Sequence, residues 1–137
     1  MSKEGILVTG ASGFIGGKTI EKLKNKGLEP RSFDGDVTEI SDWLKNLEVE
    51  DIIFLIAGVR TESDADFDVN AGGVENLFVA ATRLNKLPKR IILASSQAVN
   101  MGNKIPFKET QKPVPTTIYG ESKMMAEKIA EGWCREL

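Results

Sequence analysis

The chain has 137 residues, a formal net charge of −2 at pH 7 and one cysteine, and these features exclude several classes of protein. Its length suits one domain with a modest core, and a weak charge without a long basic stretch argues against nucleic-acid and membrane-surface partners. Cys134 cannot form an intramolecular disulfide, so the reducing cytoplasm is the expected compartment and a packing or surface role is expected for this thiol.

A glycine-rich turn lies between a predicted strand and a predicted helix near the N-terminus. Residues 6–8 are a short apolar strand, and the helix that follows ends at Gly27. Gly10 allows a tight turn, Gly13 lets the backbone approach a pyrophosphate, and Gly16 lets the helix pack closely on the sheet. The helix N-terminus supplies N–H groups for the phosphates. The pattern predicts a dinucleotide site, with a purely structural turn as the less favoured interpretation.

Two aspartates follow a short extended segment at residues 29–33. Asp34 lies 24 residues after Gly10, near the roughly 20 expected for the acid that accepts hydrogen bonds from the adenosine ribose. A carboxylate there repels a 2′-phosphate, which favours NAD over NADP. Asp36 could take this role instead or contact the adenine edge. A plain turn built by Asp-Gly-Asp is the alternative for both residues.

A helix and a buried strand come next. The helix has an apolar face, with Thr38 placed as its N-terminal cap. The residues of this face are Ile40, Trp43, Leu44 and Leu47. Residues 51–57 are a nearly continuous apolar run, as expected of a strand covered on both faces. With its extension to residue 59 the run is still far too short to cross a bilayer, so we predict no membrane span.

The second half of the chain continues this alternation. A long helix with an apolar face over residues 74–84 ends at a turn, and residues 90–94 form the next buried strand. Residues 100–115 contain three prolines and are predicted to be a loop, after which a helix carries Tyr119. This order predicts an α/β fold with a parallel, doubly wound, Rossmann-like sheet and right-handed crossovers.

Tyr119 and Lys123 are spaced to share one face of that helix. A phenol has an ordinary pKa of about 10, so its use as a base near neutral pH requires a fixed cation that favours the phenolate. A lysine one helical turn away is such a cation. The pair alone is a weak signal, because a half-buried tyrosine beside a solvated lysine has the same spacing.

Taken together, these motifs resemble the N-terminal part of an extended short-chain dehydrogenase/reductase, the group that includes NAD-dependent sugar-nucleotide epimerases and dehydratases. The matching segments are residues 9–16, 51–58, 69–73, 90–99 and 115–123. The resemblance implies hydride transfer with NAD as cofactor, a nucleotide sugar or related small molecule as substrate, and a homodimer.

The resemblance also implies site residues. Ser96, Tyr119 and Lys123 would be catalytic. Tyr119 would exchange a proton with a substrate hydroxyl or carbonyl, and Ser96 would hydrogen-bond the same substrate oxygen. Lys123 would lower the pKa of Tyr119 and hold the hydroxyls of the nicotinamide ribose. Ser95 would pack near the cofactor, and a purely structural role for Asn70 is about as well supported as a catalytic one. The implied cofactor contacts are Gly10, Ser12, Gly13, Phe14, Ile15, Gly16, Asp34, Asp36, Val37, Ala57, Gly58, Asn70, Ser95, Tyr119 and Lys123. No metal site is predicted.

Two departures from the family pattern shape the expectations. Residues 33–38 are too few for a parallel crossover, which needs a dozen or more residues, so the family's third strand is missing and the strand order is about 2-1-4-5. Residues 1–137 then form a shortened dinucleotide-binding domain without the later strands and the substrate region. It is either half of an epimerase, dehydratase or reductase, or a non-catalytic binding or sensor module.

Further expectations follow from this shortening. Residues 90–94 should form an edge strand, and the last helix should expose Met124 or Met125 and Trp133, so we expect self-association and little turnover by this chain alone. Asn100 stands where the family often has a tyrosine.

Overall fold

Strands and helices alternate along residues 4–136, the part of the chain that this computed structural model describes. The strands are β1 (Ile6–Val8), β2 (Arg31–Ser32), β3 (Ile52–Leu55) and β4 (Arg90–Leu93). The helices are α1 (Phe14–Asn25), α2 (Ile40–Asn46), α3 (Asp64–Asp66), α4 (Gly72–Leu84) and α5 (Ile118–Glu136). A π-helical turn, Phe67–Ala71, leads into α4, and a 3-10 turn, Gln97–Asn100, follows β4.

The four strands form one parallel sheet in the order β2-β1-β3-β4. This confirms the predicted order, because the family's strands 1, 2, 4 and 5 are β1 to β4 of this chain and the described residues contain no counterpart of its third strand. Leu7 of β1 pairs with Arg31 on one side and with Ile53 on the other. All four strands therefore end at the same edge, where α/β sheets bind their ligands.

The core lies between one face of the sheet and helices α2, α4 and α5. Leu7 and Ile53 lie side by side on β1 and β3 and are fully buried, as are Trp43 of α2 and Phe78 of α4. Each such side chain contributes roughly 2 kcal/mol by leaving water. The neighbours of Leu7 along β1 point to the opposite face, where α1 contacts β1.

The predicted cap of α2 is wrong. The residue that flanks the first turn is Glu39, and α2 has no side-chain cap. Thr38 instead turns back, because its N–H and its hydroxyl both donate to Asp36 Oδ1 at 2.8 Å. Asp36 N in turn donates to Asp42 Oδ2 at 2.8 Å. These bonds fold the short segment between β2 and α2 into a tight turn, which replaces the missing crossover.

Strand β4 lies at the edge of the sheet, as predicted from the shortened sequence. Its burial is only partial, with Arg90 and Ile92 exposed, so the expectation of a buried strand is wrong here. On α5, Met125 is exposed, whereas Trp133 is half-buried because its ring stacks on Phe78 at 5.5 Å. No helix within residues 4–136 is long and apolar enough to cross a membrane.

Candidate active site

A cleft of about 1130 Å³ opens at the carboxyl ends of β1, β2 and β3. It brings together most of the cofactor contacts predicted from the sequence. Those that line it are Gly10, Ser12, Gly13, Phe14, Ile15, Gly16, Asp34, Asp36, Val37, Ala57 and Gly58. A cleft outside the strand ends, where the strand order reverses, is where open α/β sheets bind dinucleotides.

The three glycines of the turn differ in what a side chain at each position would contact. Gly10 has a φ of +67°, and a Cβ on it would lie 2.8 Å from the Ala57 nitrogen. A Cβ on Gly16 would lie 1.9 Å from the Gly10 oxygen. A Cβ on Gly13, by contrast, would meet one atom within 4 Å, the Gly10 oxygen at 3.4 Å. The fold therefore requires glycine at positions 10 and 16, whereas a side chain at Gly13 would intrude on the cleft.

The N-terminus of α1 is prepared for an anion. It has no side-chain cap, no acidic residue in its first turn, and lysines 22 and 24 in its last turn. The first-turn residues Phe14, Ile15 and Gly16 all line the cleft. Backbone N–H groups and the helix dipole at such a terminus favour phosphate oxygens. The site thus fits the pyrophosphate of a dinucleotide.

Asp34 and Asp36 differ in the use of their carboxylates. Asp36 accepts two hydrogen bonds from Thr38, and these bonds lower the pKa of its carboxyl group. Asp34 is held through its backbone, since its N–H and C=O both bond the Asn46 side chain at 2.8 Å. Its carboxylate is exposed to the cleft and has no hydrogen-bond or ion-pair partner among residues 4–136. Asp34 is therefore better placed than Asp36 to accept hydrogen bonds from a ribose.

Lys123 lies close to Tyr119, as the helical spacing predicted. Its Nζ is 5.9 Å from the centre of the Tyr119 ring and donates to the Ala94 carbonyl at 3.2 Å. The side chain is buried, and this burial lowers the pKa of the Lys123 ammonium. A Cβ on Gly58 would lie 3.0 Å from Lys123 Nζ and from Asn70 Oδ1, so the lysine reaches the wall of the cleft.

Asn70 ties three segments together. Its Oδ1 accepts from Val59 N at 2.9 Å, and its Nδ2 donates to Val59 O at 2.8 Å and to Ser122 Oγ at 3.0 Å. It is buried, and every polar group of its side chain has a protein partner. Of the two roles left open by the sequence, this geometry favours the structural one, which fixes the loop after β3 to α5.

Ser96 and Ser95 follow β4 and have separate partners. Ser96 Oγ caps the 3-10 turn by accepting from Ala98 N at 3.1 Å, which leaves its hydroxyl hydrogen available to another acceptor. Ser95 Oγ donates to the Glu127 carboxylate on α5. The 3-10 turn packs directly on α5, since a Cβ on Gly120 would lie 2.6 Å from the Ala98 oxygen. Ser96 thus caps a turn that packs on the helix that carries Tyr119.

Sequence reasoning missed three residues that organise the site. Thr9 Oγ1 accepts from Ile56 N and Ala57 N at 3.0 Å and so joins the ends of β1 and β3. Arg60 and Glu62, in the loop after β3, both contact Tyr119. Thr9 belongs to the glycine motif, so the sequence could have pointed to it. No sequence signal links the loop of Arg60 and Glu62 to Tyr119, which is distant along the chain.

The chain is similar to enzymes of one family. The sequence model of the NAD dependent epimerase/dehydratase family matches residues 6–137. The UDP-glucose 4-epimerase of Lacticaseibacillus casei is 31% identical over 152 residues, which cover 90% of this chain and 45% of that enzyme. The 3 beta-hydroxysteroid dehydrogenase/Delta 5→4-isomerase of Mycobacterium tuberculosis is 29% identical over 155 residues, which cover 90% and 41%. The chain therefore spans about half the length of these curated relatives.

A solved structure agrees with this similarity. The dTDP-4-dehydrorhamnose reductase of Bacillus anthracis, in complex with NADP, superposes with a TM-score of 0.82 and is 26% identical. The match covers 97% of this chain and 51% of that one. The Rossmann-like fold predicted from the sequence is thus confirmed by both topology and comparison.

Proposed function

Since the chain belongs to the NAD dependent epimerase/dehydratase family, we propose that it is the cofactor-binding and proton-transfer part of an enzyme that acts on a nucleotide sugar by hydride transfer. Residues 1–137 serve as its dinucleotide-binding domain. The observation that carries the proposal is the position of Tyr119 beside the buried Lys123, whose Nζ would lie 3.0 Å from a Cβ on Gly58, a residue that lines the glycine-rich cleft. Proton transfer and cofactor binding can then occur at the same edge of the sheet.

The cleft suits NAD better than NADP. The α1 N-terminus would hold the pyrophosphate, and the exposed Asp34 carboxylate would accept hydrogen bonds from the adenosine ribose. A 2′-phosphate would meet that carboxylate and be repelled. The family is NAD-dependent, although the similar reductase was solved with NADP, so the choice at Asp34 is a property to test in this chain.

Tyr119 is the proposed proton acceptor and donor. In the oxidation of a substrate alcohol, the hydroxyl proton passes to the Tyr119 oxygen while the carbon loses hydride, and the reverse step returns both. The bound nicotinamide supplies the hydride acceptor and donor. Lys123 contributes a fixed positive charge beside the ring, and the free O–H of Ser96 donates to the substrate oxygen.

The proposed substrate class is the nucleotide sugars. The epimerase relative is named for UDP-glucose, whereas the M. tuberculosis relative is named for a hydroxysteroid. Both names describe a secondary alcohol or its ketone, which is what a tyrosine base and a hydride acceptor can interconvert. We further propose that the protein works as a homodimer and in the cytoplasm, in keeping with its single unpaired cysteine.

One experiment tests the core of this proposal. Calorimetric titration with NAD should give saturable binding, and the NAD-loaded protein at high concentration mixed with UDP-glucose should develop only a slow NADH absorbance, since little turnover is expected of this chain alone. Tyr119→Phe should retain NAD affinity within about twofold and lose the absorbance change, since a phenyl ring cannot take the proton. Failure of the wild-type protein to bind NAD would refute the proposal. Binding without any absorbance change across a nucleotide-sugar panel would favour the non-catalytic alternative.

A further inference from the structure

The loop that follows β3 reaches the residue proposed to transfer the proton. Arg60 Cζ lies 5.2 Å from the centre of the Tyr119 ring, within the range of a cation–π contact. Glu62 Oε2 accepts a hydrogen bond from the backbone N–H of Tyr119 at 3.2 Å. One side chain of the loop thus contacts the ring of Tyr119, and another contacts its backbone.

These two side chains are also joined to each other. Arg60 Nε donates to Glu62 Oε1 at 3.2 Å, so the carboxylate uses one oxygen for the arginine and the other for the Tyr119 N–H. Tyr119 is in the first turn of α5, where an acidic group is favoured by the helix dipole. The three residues form a closed set of contacts around the start of α5.

The backbone of Glu62 is held in a conformation that a glutamate rarely adopts. Its φ is +55°, in the left-handed region, where a residue with a Cβ is strained. Glycine would adopt this φ freely but would supply no carboxylate. In this conformation the Glu62 carboxylate accepts a hydrogen bond from the first turn of α5, a contact that glycine could not make.

A buried aspartate holds the loop in this shape. Asp66 Oδ1 accepts from Thr61 N at 2.6 Å and from Thr61 Oγ1 at 2.7 Å, and its Oδ2 accepts from Glu62 N at 3.0 Å. Asp66 is fully buried at the end of α3. The backbone of Glu62 is therefore held by the side chain of Asp66, which is not accessible to solvent.

We propose that Arg60 and Glu62 are positioning residues, which fix the ring and the backbone of Tyr119 in the orientation needed for proton transfer. This inference rests on the role of Tyr119 in the proposed function. Arg60 and Glu62 act through Tyr119 and not through the cofactor, because neither residue lines the dinucleotide cleft. They are absent from the motifs by which the sequence resembles its family, so the assignment belongs to this chain's own loop.

Tyrosine NMR tests the positioning directly. Tyr119 is the only tyrosine of the chain, so protein grown with isotope-labelled tyrosine has a single set of ring signals. The variants are Arg60→Met, which removes the cation, Arg60→Lys, which keeps a cation, and Glu62→Gly, which removes the carboxylate and relieves the positive φ. The matched control is Arg135→Met. Arg135, like Arg60, pairs with a glutamate, but it lies near the end of α5, far from Tyr119.

The proposal requires a specific pattern of results. Arg60→Met and Glu62→Gly should shift the Tyr119 ring signals toward those of an unrestrained tyrosine, Arg60→Lys should retain part of the wild-type shift, and the control should match the wild type. Ring signals that do not change in Arg60→Met and Glu62→Gly would overturn it, as would equal changes in the control.

Turnover and cofactor binding separate this proposal from the proposed function. In active protein, Arg60→Met should lower kcat with little change in the Kd for NAD, and Arg60→Lys should recover part of kcat. If the wild-type protein does not bind NAD, the proposed function fails, yet the ring signals still decide whether Arg60 and Glu62 position Tyr119. If Arg60→Met weakens NAD binding as much as it lowers kcat, the positioning role is wrong.

Discussion

The Lys123 ammonium lies 5.9 Å from the centre of the Tyr119 ring in a buried position, with the Ala94 carbonyl as its hydrogen-bond acceptor. No carboxylate of residues 4–136 forms an ion pair with it. A buried charge without an ion-pair partner destabilises a fold, and such groups are found where a site needs their charge. Burial of the Lys123 ammonium therefore lowers the stability of the fold, and it places a positive charge beside the residue proposed to transfer the proton.

Replacing Lys123 with methionine should therefore stabilise the protein while impairing its function. The thioether chain fills much the same volume and removes the buried charge, so we expect the free energy of unfolding at neutral pH to rise by about 1 kcal/mol. Urea denaturation measures this change. Affinity for NAD should fall in the same variant, since the proposed donor to the ribose is lost. A variant less stable than the wild type would show that the ammonium contributes net stability.

The stability difference between these two proteins should also depend on pH. Burial lowers the Lys123 pKa below its ordinary value of 10.5, so the folded state loses this proton before the unfolded state does. The cost of burying the charge is fully present below the folded pKa and disappears as pH rises from there toward 10.5. The advantage of Lys123→Met should shrink across this window, as denaturation at several pH values would show. A constant advantage would contradict the assignment.

A side chain added at Gly13 should impair cofactor binding, whereas one added at Gly16 should lower the stability of the fold. Gly13→Val should abolish NAD binding at little cost in stability, because the site has room for a Cβ and the branches would occupy pyrophosphate space. Gly16→Ala should destabilise the fold by about 2 kcal/mol or more, because its Cβ would collide with the Gly10 oxygen. Calorimetry and thermal denaturation separate the two effects. Gly132→Val is the control, as nothing lies within 4 Å of a Cβ there.

Much of the fold could be read from the sequence, because β1, β3 and most of β4 are apolar runs and the long helices have a clear period. The glycine turn, the missing crossover and the Tyr119 to Lys123 pairing are local patterns, and local spacing determines which groups meet. The cap of α2 was mispredicted because Asp36 competes for the Thr38 N–H and hydroxyl. The contact of Arg60 with Tyr119 was not predictable, because it depends on how a strained loop packs against a helix from a distant part of the chain.

Asp34 and Asp36 should differ in their effects on cofactor choice. Asp34→Ala should reduce the preference for NAD over NADP from several-fold to about none, because the free carboxylate is what repels the 2′-phosphate. Asp36→Ala should mainly loosen the turn between β2 and α2, since its carboxylate is occupied by Thr38. Titration of each variant with both cofactors measures this. A preference that survives Asp34→Ala but not Asp36→Ala would exchange their roles.

The exposed edge of β4 should make the protein self-associate. Within the described sheet no strand pairs with the outer side of β4, and Ile92 on it is 42% exposed, so unpaired N–H and C=O groups lie beside an apolar side chain. We expect a two-fold dimer by sedimentation velocity at roughly tens of micromolar. Ile92→Lys should shift it toward monomer, because a charged side chain on an edge strand opposes pairing. Met125→Lys places the same charge on the exposed side of α5 and should have the smaller effect. A wild-type monomer would refute self-association, and a stronger effect of Met125→Lys would move the interface from the strand edge to the helix.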